Sequence, residues 1–177
     1  MPLTPLHLIP GLVIYLLLFS YVDLLALALA VVFIDIEPIA NLLMFKSSPL
    51  HGPFHSLVGA LLIATPALIL ACRLLERRTN AIVRAFRIIG WNPKARRVSL
   101  ITTAFSAYLG VGTHLILDYQ MHPDVSVFYP FSSGNPFLSE TLTIWSHTAL
   151  FLGLIASPLL WYIGKRVHKE RPFRFFP

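Results

Sequence analysis

The chain has 177 residues, a length that favours a single domain spanning 1–177. Its residues are 56% hydrophobic and only 12% charged, with a mean hydropathy of +0.71, whereas soluble domains carry about a quarter charged residues. A water-soluble globule is thereby excluded, and the 14 Lys+Arg against 8 Asp+Glu read as membrane sidedness rather than as a nucleic-acid patch.

The expected fold is all-α: a polytopic membrane helical bundle with an N-terminal apolar hairpin and three further transmembrane helices. A spanning helix needs about 20 apolar residues. Residues 8–34 are almost continuously apolar but contain Asp23, which costs about 2.5–3.5 kcal/mol at the centre of a span. One long span over 10–34 competes with a hairpin turning at 20–23. The hairpin is preferred because Asp23 then caps a second helix near water, although each arm would rise only ~20 Å. No basic segment precedes this run, so it reads as retained and not as a cleaved signal. The further spans are 54–75, with Pro66 a kink; 99–118, with a small face of Ser106, Gly110 and Thr113; and 143–164, containing Pro158.

Two connecting segments differ in chemistry. The loop 73–98 carries Arg73, Arg77, Arg78, Arg84, Arg87, Lys94, Arg96 and Arg97, and the C-terminal tail adds Lys165, Arg166, Lys169, Arg171 and Arg174. Basic loops stay in the cytoplasm, so this end is expected there, with Phe173, Phe175 and Phe176 as an interfacial anchor. The loop 119–142 then lies on the extracytoplasmic face. Asp35, Glu37, Asp118, Asp124 and Glu140 gather at that level with His7, His51, His55, His114, His122 and His147.

The single cysteine, Cys72, excludes a disulfide framework or a Cys-rich zinc ribbon and reads as apolar filler. Any metal falls to histidines and carboxylates. His114 and Asp118, at i and i+4, share a helix face and can reach one ion; equally, they can simply cap the span. His51 precedes the Pro53 helix start and His55 sits on its first turn, where the dipole favours a neutral, ligating imidazole. Asp35 and Glu37 end the hairpin's second arm before Pro38, against the macrodipole, and call for compensation by water, Lys46 or a divalent cation. His7, His122, Asp124 and His147 are weaker signals, and Glu140 competes with Ser139 and the nearby threonines as a helix-start residue. Ionisable groups inside a membrane are expensive and usually functional. Their ligand chemistry suits Zn²⁺, with Mn²⁺ or Fe²⁺ also compatible, and the supply exceeds one tetrahedral ion, so two are conceivable.

The ordered set of His7 in TPLH, Asp35-x-Glu37, His51-x-x-x-His55-Ser56 and His114-x-x-x-Asp118 resembles the YdjM-like family, inner-membrane proteins described as metal-dependent hydrolases. The opening MPLTPLHLIPGL, the HGPFHS segment and HPDVSVFYPFSSGNPF carry the likeness, which covers nearly the whole chain and least of all 76–98. Through that family's distant similarity to zinc-dependent phospholipase C, the resemblance implies a helical zinc site. Its ligands would be His7, Asp35 or Glu37, His55, His114 and Asp118. The usual D-x-D is here Asp35-x-Glu37, and no H-x-x-x-E follows from His147, so a three-metal site is not implied.

The expected function is a membrane-embedded metal-dependent hydrolase acting on a phospho- or acyl-ester of a lipid, with membrane lipids as partners and no nucleic acid. His51 would serve as ligand or general base, and Glu37 as ligand or catalytic carboxylate. The alternatives are a non-enzymatic metal-binding or transport protein and a purely structural bundle. A permeation path predicts polar residues continuing along the spans, and beyond Thr102, Thr103 and Ser106 they do not.

Overall fold

The structure is a computed structural model that describes residues 4–18, 21–45, 49–86 and 98–167. The described residues form an all-helical bundle: α1 (Thr4–Leu17), α2 (Leu24–Ile34), α3 (Ile36–Ala40), α4 (Leu57–Gly59), α5 (Thr65–Phe86), α6 (Leu100–Met121) and α7 (Glu140–Val167). Wider π turns at Asn41–Phe45 and Ala60–Ala64 extend α3 and join α4 to α5. The four helical stretches long and apolar enough to cross a membrane are Leu24–Met44, Leu57–Arg78, Leu100–Met121 and Glu140–Leu160. The shorter apolar helix His7–Leu17 precedes them.

The hairpin forms as expected. Asp23 is the N-cap of α2, its Oδ1 accepting from the Leu25 amide at 3.0 Å, an interaction that contributes about 1 kcal/mol. Its own amide donates to Ser106 Oγ at 2.7 Å, which ties the turn to α6. The second arm, however, does not stop at Pro38. Asp35 interrupts the helix with ψ near −9°, and a new turn begins at Ile36. Pro38 then lies in a first turn, where its missing N–H would have no intrahelical partner. The result is a full-length span instead of a short arm.

The other segment boundaries also shift. The basic segment 73–98 is not a loop throughout, because α5 continues through it to Phe86. Arg73 donates to Glu76 at 2.8 Å and to the Val98 carbonyl at 2.7 Å, pinning the start of α6 beside α5. Around Pro66, the expected kink is a widening of the ladder over Ala60–Ala64, just before the residue that lacks an N–H. Residues 87–97 and the tail from 168, with Phe173, Phe175 and Phe176, lie outside the described residues, as does Lys46.

Three apolar stripes at i, i+4 spacing meet in the core: Ala26, Ala30 and Ile34 of α2; Ala60, Ala64, Leu68 and Cys72 of the α4–α5 segment; Ala107, Val111, Leu115 and Tyr119 of α6. The small residues bring α2 and α6 close together. A Cβ on Gly110 would lie 2.6 Å from Ala30 Cβ and 2.8 Å from the Leu27 carbonyl oxygen, so only glycine fits there. Ser106 shares this face, whereas the Thr113 hydroxyl bonds within its own helix, to the Gly110 carbonyl. The last helix, α7, packs on α1 and α6 and leaves most of its apolar surface uncovered, as a lipid-facing helix does.

Candidate metal centre

The core stripes turn polar toward one end of the bundle. On α2 the buried face runs Leu27, Val31, Asp35; on α6, Gly110, His114, Asp118. The α6 face continues one turn further to His122, the C-cap, giving His114, Asp118 and His122 at i, i+4 and i+8. His55 arrives from the 3₁₀ turn Pro53–His55. That turn is fixed by Ser56, whose hydroxyl caps the Gly59 amide at 3.0 Å and donates to the Pro53 carbonyl at 2.7 Å. Tyr119 of α6 holds the same turn, its hydroxyl donating to the His55 carbonyl at 3.0 Å.

Asp118 is the hub. His114 Nε2 lies 2.9 Å from its Oδ2 and His55 Nε2 3.4 Å from the same oxygen. His7 Nε2 lies 3.3 Å from Oδ1, with His122 Nε2 at 3.8 Å. Asp35 Oδ1 stands 3.4 Å from His114 Nε2. Asp35, His55, His114 and Asp118 each offer a ligand atom, and those four atoms lie within 4.8 Å of one another. None of the four residues exceeds 1% exposure.

Five of these atoms come close without the geometry of a hydrogen bond. His7 Nε2, His55 Nε2, His114 Nε2 and both oxygens of Asp118 are buried and make no hydrogen bond. Leaving such groups unsatisfied costs about 1–3 kcal/mol each, and a cation placed among them would satisfy several at once. A divalent metal therefore fits this donor set of two imidazoles and two carboxylates.

Glu37 occupies a different place from the one its sequence position suggests. It sits outside the four-residue group, in the first turn of α3, and its carboxylate accepts from the amides of Gly52 and Phe54 at 3.1 Å. Those amides compensate its charge. It also lies 3.0 Å from His55 Nδ1. An ionised carboxylate only accepts, so His55 carries a proton on Nδ1 and turns Nε2 toward Asp118. Burial opposes charge on His55, but the carboxylates of Asp118 and Glu37 outweigh it and raise its pKa.

Beside this group, His51 is 4% exposed and its Nδ1 lies 2.9 Å from Asp124 Oδ2. The same oxygen accepts from the Leu50 and His51 amides at 3.1 and 3.2 Å. Burial pushes Asp124 up, but the bonds from the His51 ring and amide prevail and hold it below the usual carboxylate range. The His122 ring lies tilted at 4.3 Å from the His51 ring, and burial lowers its pKa against the pull of Asp118. His51 also meets the His55 ring at 4.7 Å. Five of the six histidines expected at this end thus come together. The exception is His147, exposed on α7, with its Nδ1 2.8 Å from the Thr143 carbonyl. Glu140 is likewise exposed at the start of α7. Sequence spacing places His122 one turn beyond Asp118, and the structure adds Asp124 through its contact with His51.

Four apolar spans and a buried histidine–carboxylate centre at one end define a multi-pass membrane protein with a possible metal-binding site. A sequence model of the family described as YdjM inner membrane protein matches residues 3–175. The chain belongs to that family and is a multi-pass inner-membrane protein. No curated protein and no solved structure matches it.

Proposed function

We propose that this protein is a membrane-embedded metal-dependent hydrolase, with Zn²⁺ the best-suited ion, acting on a phospho- or acyl-ester of a lipid. The observation that carries the reading is the set of buried, unpartnered donors around Asp118. When bound there, a divalent cation supplies Lewis acidity toward the ester and activates water. The chain's own residues do the rest. Asp118 gathers the imidazoles, Asp35 adds a second carboxylate, and Glu37 acts as a positioning residue that locks the tautomer and direction of His55. The buried centre reaches solvent through His122 and Asp124, whose side chains are 13% and 30% exposed. Nearby, Ile36 and Phe54, the chain neighbours of Asp35 and His55, expose apolar surface that suits an amphiphile arriving from the bilayer.

The extracytoplasmic placement of the site belongs to the same proposal. It is supported by the basic residues from Arg73 onward at the opposite end of α5 from His55. A cysteine introduced at Ser133, in the loop beside the site, should react with a membrane-impermeant maleimide in intact spheroplasts; labelling only after lysis would reverse the orientation.

The activity is tested on detergent-purified protein, stripped with chelator and reloaded with Zn²⁺, using short-chain phospholipids and acyl esters. Hydrolysis restored by the ion and lost in His114→Ala is expected. In Glu37→Gln the ion should bind about 10–100-fold more weakly, with activity recovered at high Zn²⁺. Metal-replete protein inert on both ester classes would remove the hydrolase reading and leave a metal-binding membrane protein.

A further inference from the structure

We infer that His51, His122 and Asp124 form a second divalent-cation site, separated from the first by the Asp118 carboxylate. The proposal rests on the reading that the Asp118 centre holds a cation, and it assigns residues that centre does not use.

Geometry supplies the first argument. His51, His122 and Asp124 each offer a ligand atom, and the three atoms lie within 4.8 Å of one another. They come from separate pieces of chain: the loop before Pro53, the C-cap of α6 and the loop beyond it. Asp124 fastens two of these pieces by accepting both loop amides as well as the His51 ring. The arrangement is therefore built into the fold and is not a chance meeting of surface side chains.

The second argument is an orphaned atom. Asp124 is an acceptor, so His51 carries a proton on Nδ1, and Nε2 lies on the other side of the ring. That nitrogen is buried and has no hydrogen-bond partner. A carboxylate on one ring nitrogen and a buried, unpartnered second nitrogen is the arrangement in which histidine ligates metals, so Asp124 serves the site by anchoring the His51 ring while Nε2 is the ligating atom.

Charge is the third argument. Asp35, Glu37, Asp118 and Asp124 bring four carboxylates into this end of the bundle, and their ion-pair partners among the described residues are imidazoles. With Glu37 satisfied by the Gly52 and Phe54 amides, Asp35, Asp118 and Asp124 remain to offset cationic charge. Asp118 is placed to serve both ions, because Oδ2 faces His55 and His114 while Oδ1 faces His7 and His122. Two-metal centres have ions about 3.5–4 Å apart, a spacing one bridging carboxylate spans. Two imidazoles with one carboxylate select a borderline ion such as Zn²⁺ or Co²⁺ over Mg²⁺ or Ca²⁺.

The test is cation stoichiometry on the full chain in detergent. Chelator-stripped protein is titrated with Co²⁺, followed by visible absorption, and bound metal is counted after desalting. Wild type should take up two equivalents. His122→Ala and Asp124→Asn should each keep the first equivalent, which also reports that the fold is intact, and lose the second or weaken it at least tenfold. Asp35→Asn should impair the first. A wild-type stoichiometry of one, or two equivalents surviving in both variants, overturns the second site and returns His51 to the role of proton acceptor. A wild type that binds no ion overturns the first site together with it. Loss of both equivalents in both variants would show a single inseparable centre and equally overturn the assignment.

Discussion

Protein carrying Asp118→Ala should purify without a stoichiometric divalent cation. Asp118 is fully buried and has four imidazole nitrogens within 3.8 Å. Its removal takes away the group shared by four of the five approaches described in the centre. Perturbing a residue that merely orients a ligand costs about 10–100-fold in affinity, so losing the hub should cost more than roughly 100-fold. Elemental analysis of wild type and variant purified in parallel reads this directly. Wild-type metal content in the variant would dismiss the centre as a cation site.

The second large effect concerns packing far from any ligand. Gly110→Val should both destabilise the bundle and impair cation binding. The new Cβ would collide with Ala30 Cβ and with the Leu27 carbonyl, and neither a methyl group nor a helix backbone can step aside. Overpacking of this kind costs about 1–3 kcal/mol, and the branches of valine add to it. If α2 yields by moving off α6, Asp35 moves with it, since it lies one turn beyond Val31 on the buried face of α2. The 3.4 Å approach of Asp35 to His114 would then open. Gly112→Ala is the control: a Cβ there meets nothing within 4 Å, and alanine is the better helix former by about 1 kcal/mol. Thermal unfolding in detergent and metal content should fall together in Gly110→Val and hold in Gly112→Ala. A Gly110→Val protein as stable as wild type would refute the close α2–α6 contact.

Much of the architecture is legible because its causes are local. The apolar runs announce spans, and the unaffordable position of Asp23 in a single long helix announces the hairpin turn that it caps. The i, i+4 pair His114 and Asp118 is legible for the same reason, since both residues project from one face. What sequence could not weigh is long-range. Pro38 looked like a terminator because nothing in the chain shows that the break falls at Asp35, which makes the proline a first-turn residue. Glu37 looked like a ligand because the amides that satisfy it, those of Gly52 and Phe54, lie some fifteen positions away. The meeting of His122 and Asp124 with His51 is invisible locally because His51 lies more than seventy residues upstream. His147 had the right depth, but only the packing of α7 reveals that it points outward.

The sparse attachment of α7 bears on the order of biogenesis. Every residue of the two ligand groups, and His7 and Glu37 besides, lies before position 125. The complete set of donors has therefore been synthesised and can converge while the final helix is still emerging from the ribosome. An ion held by these groups would draw no ligand from α7, which packs against α1 and α6.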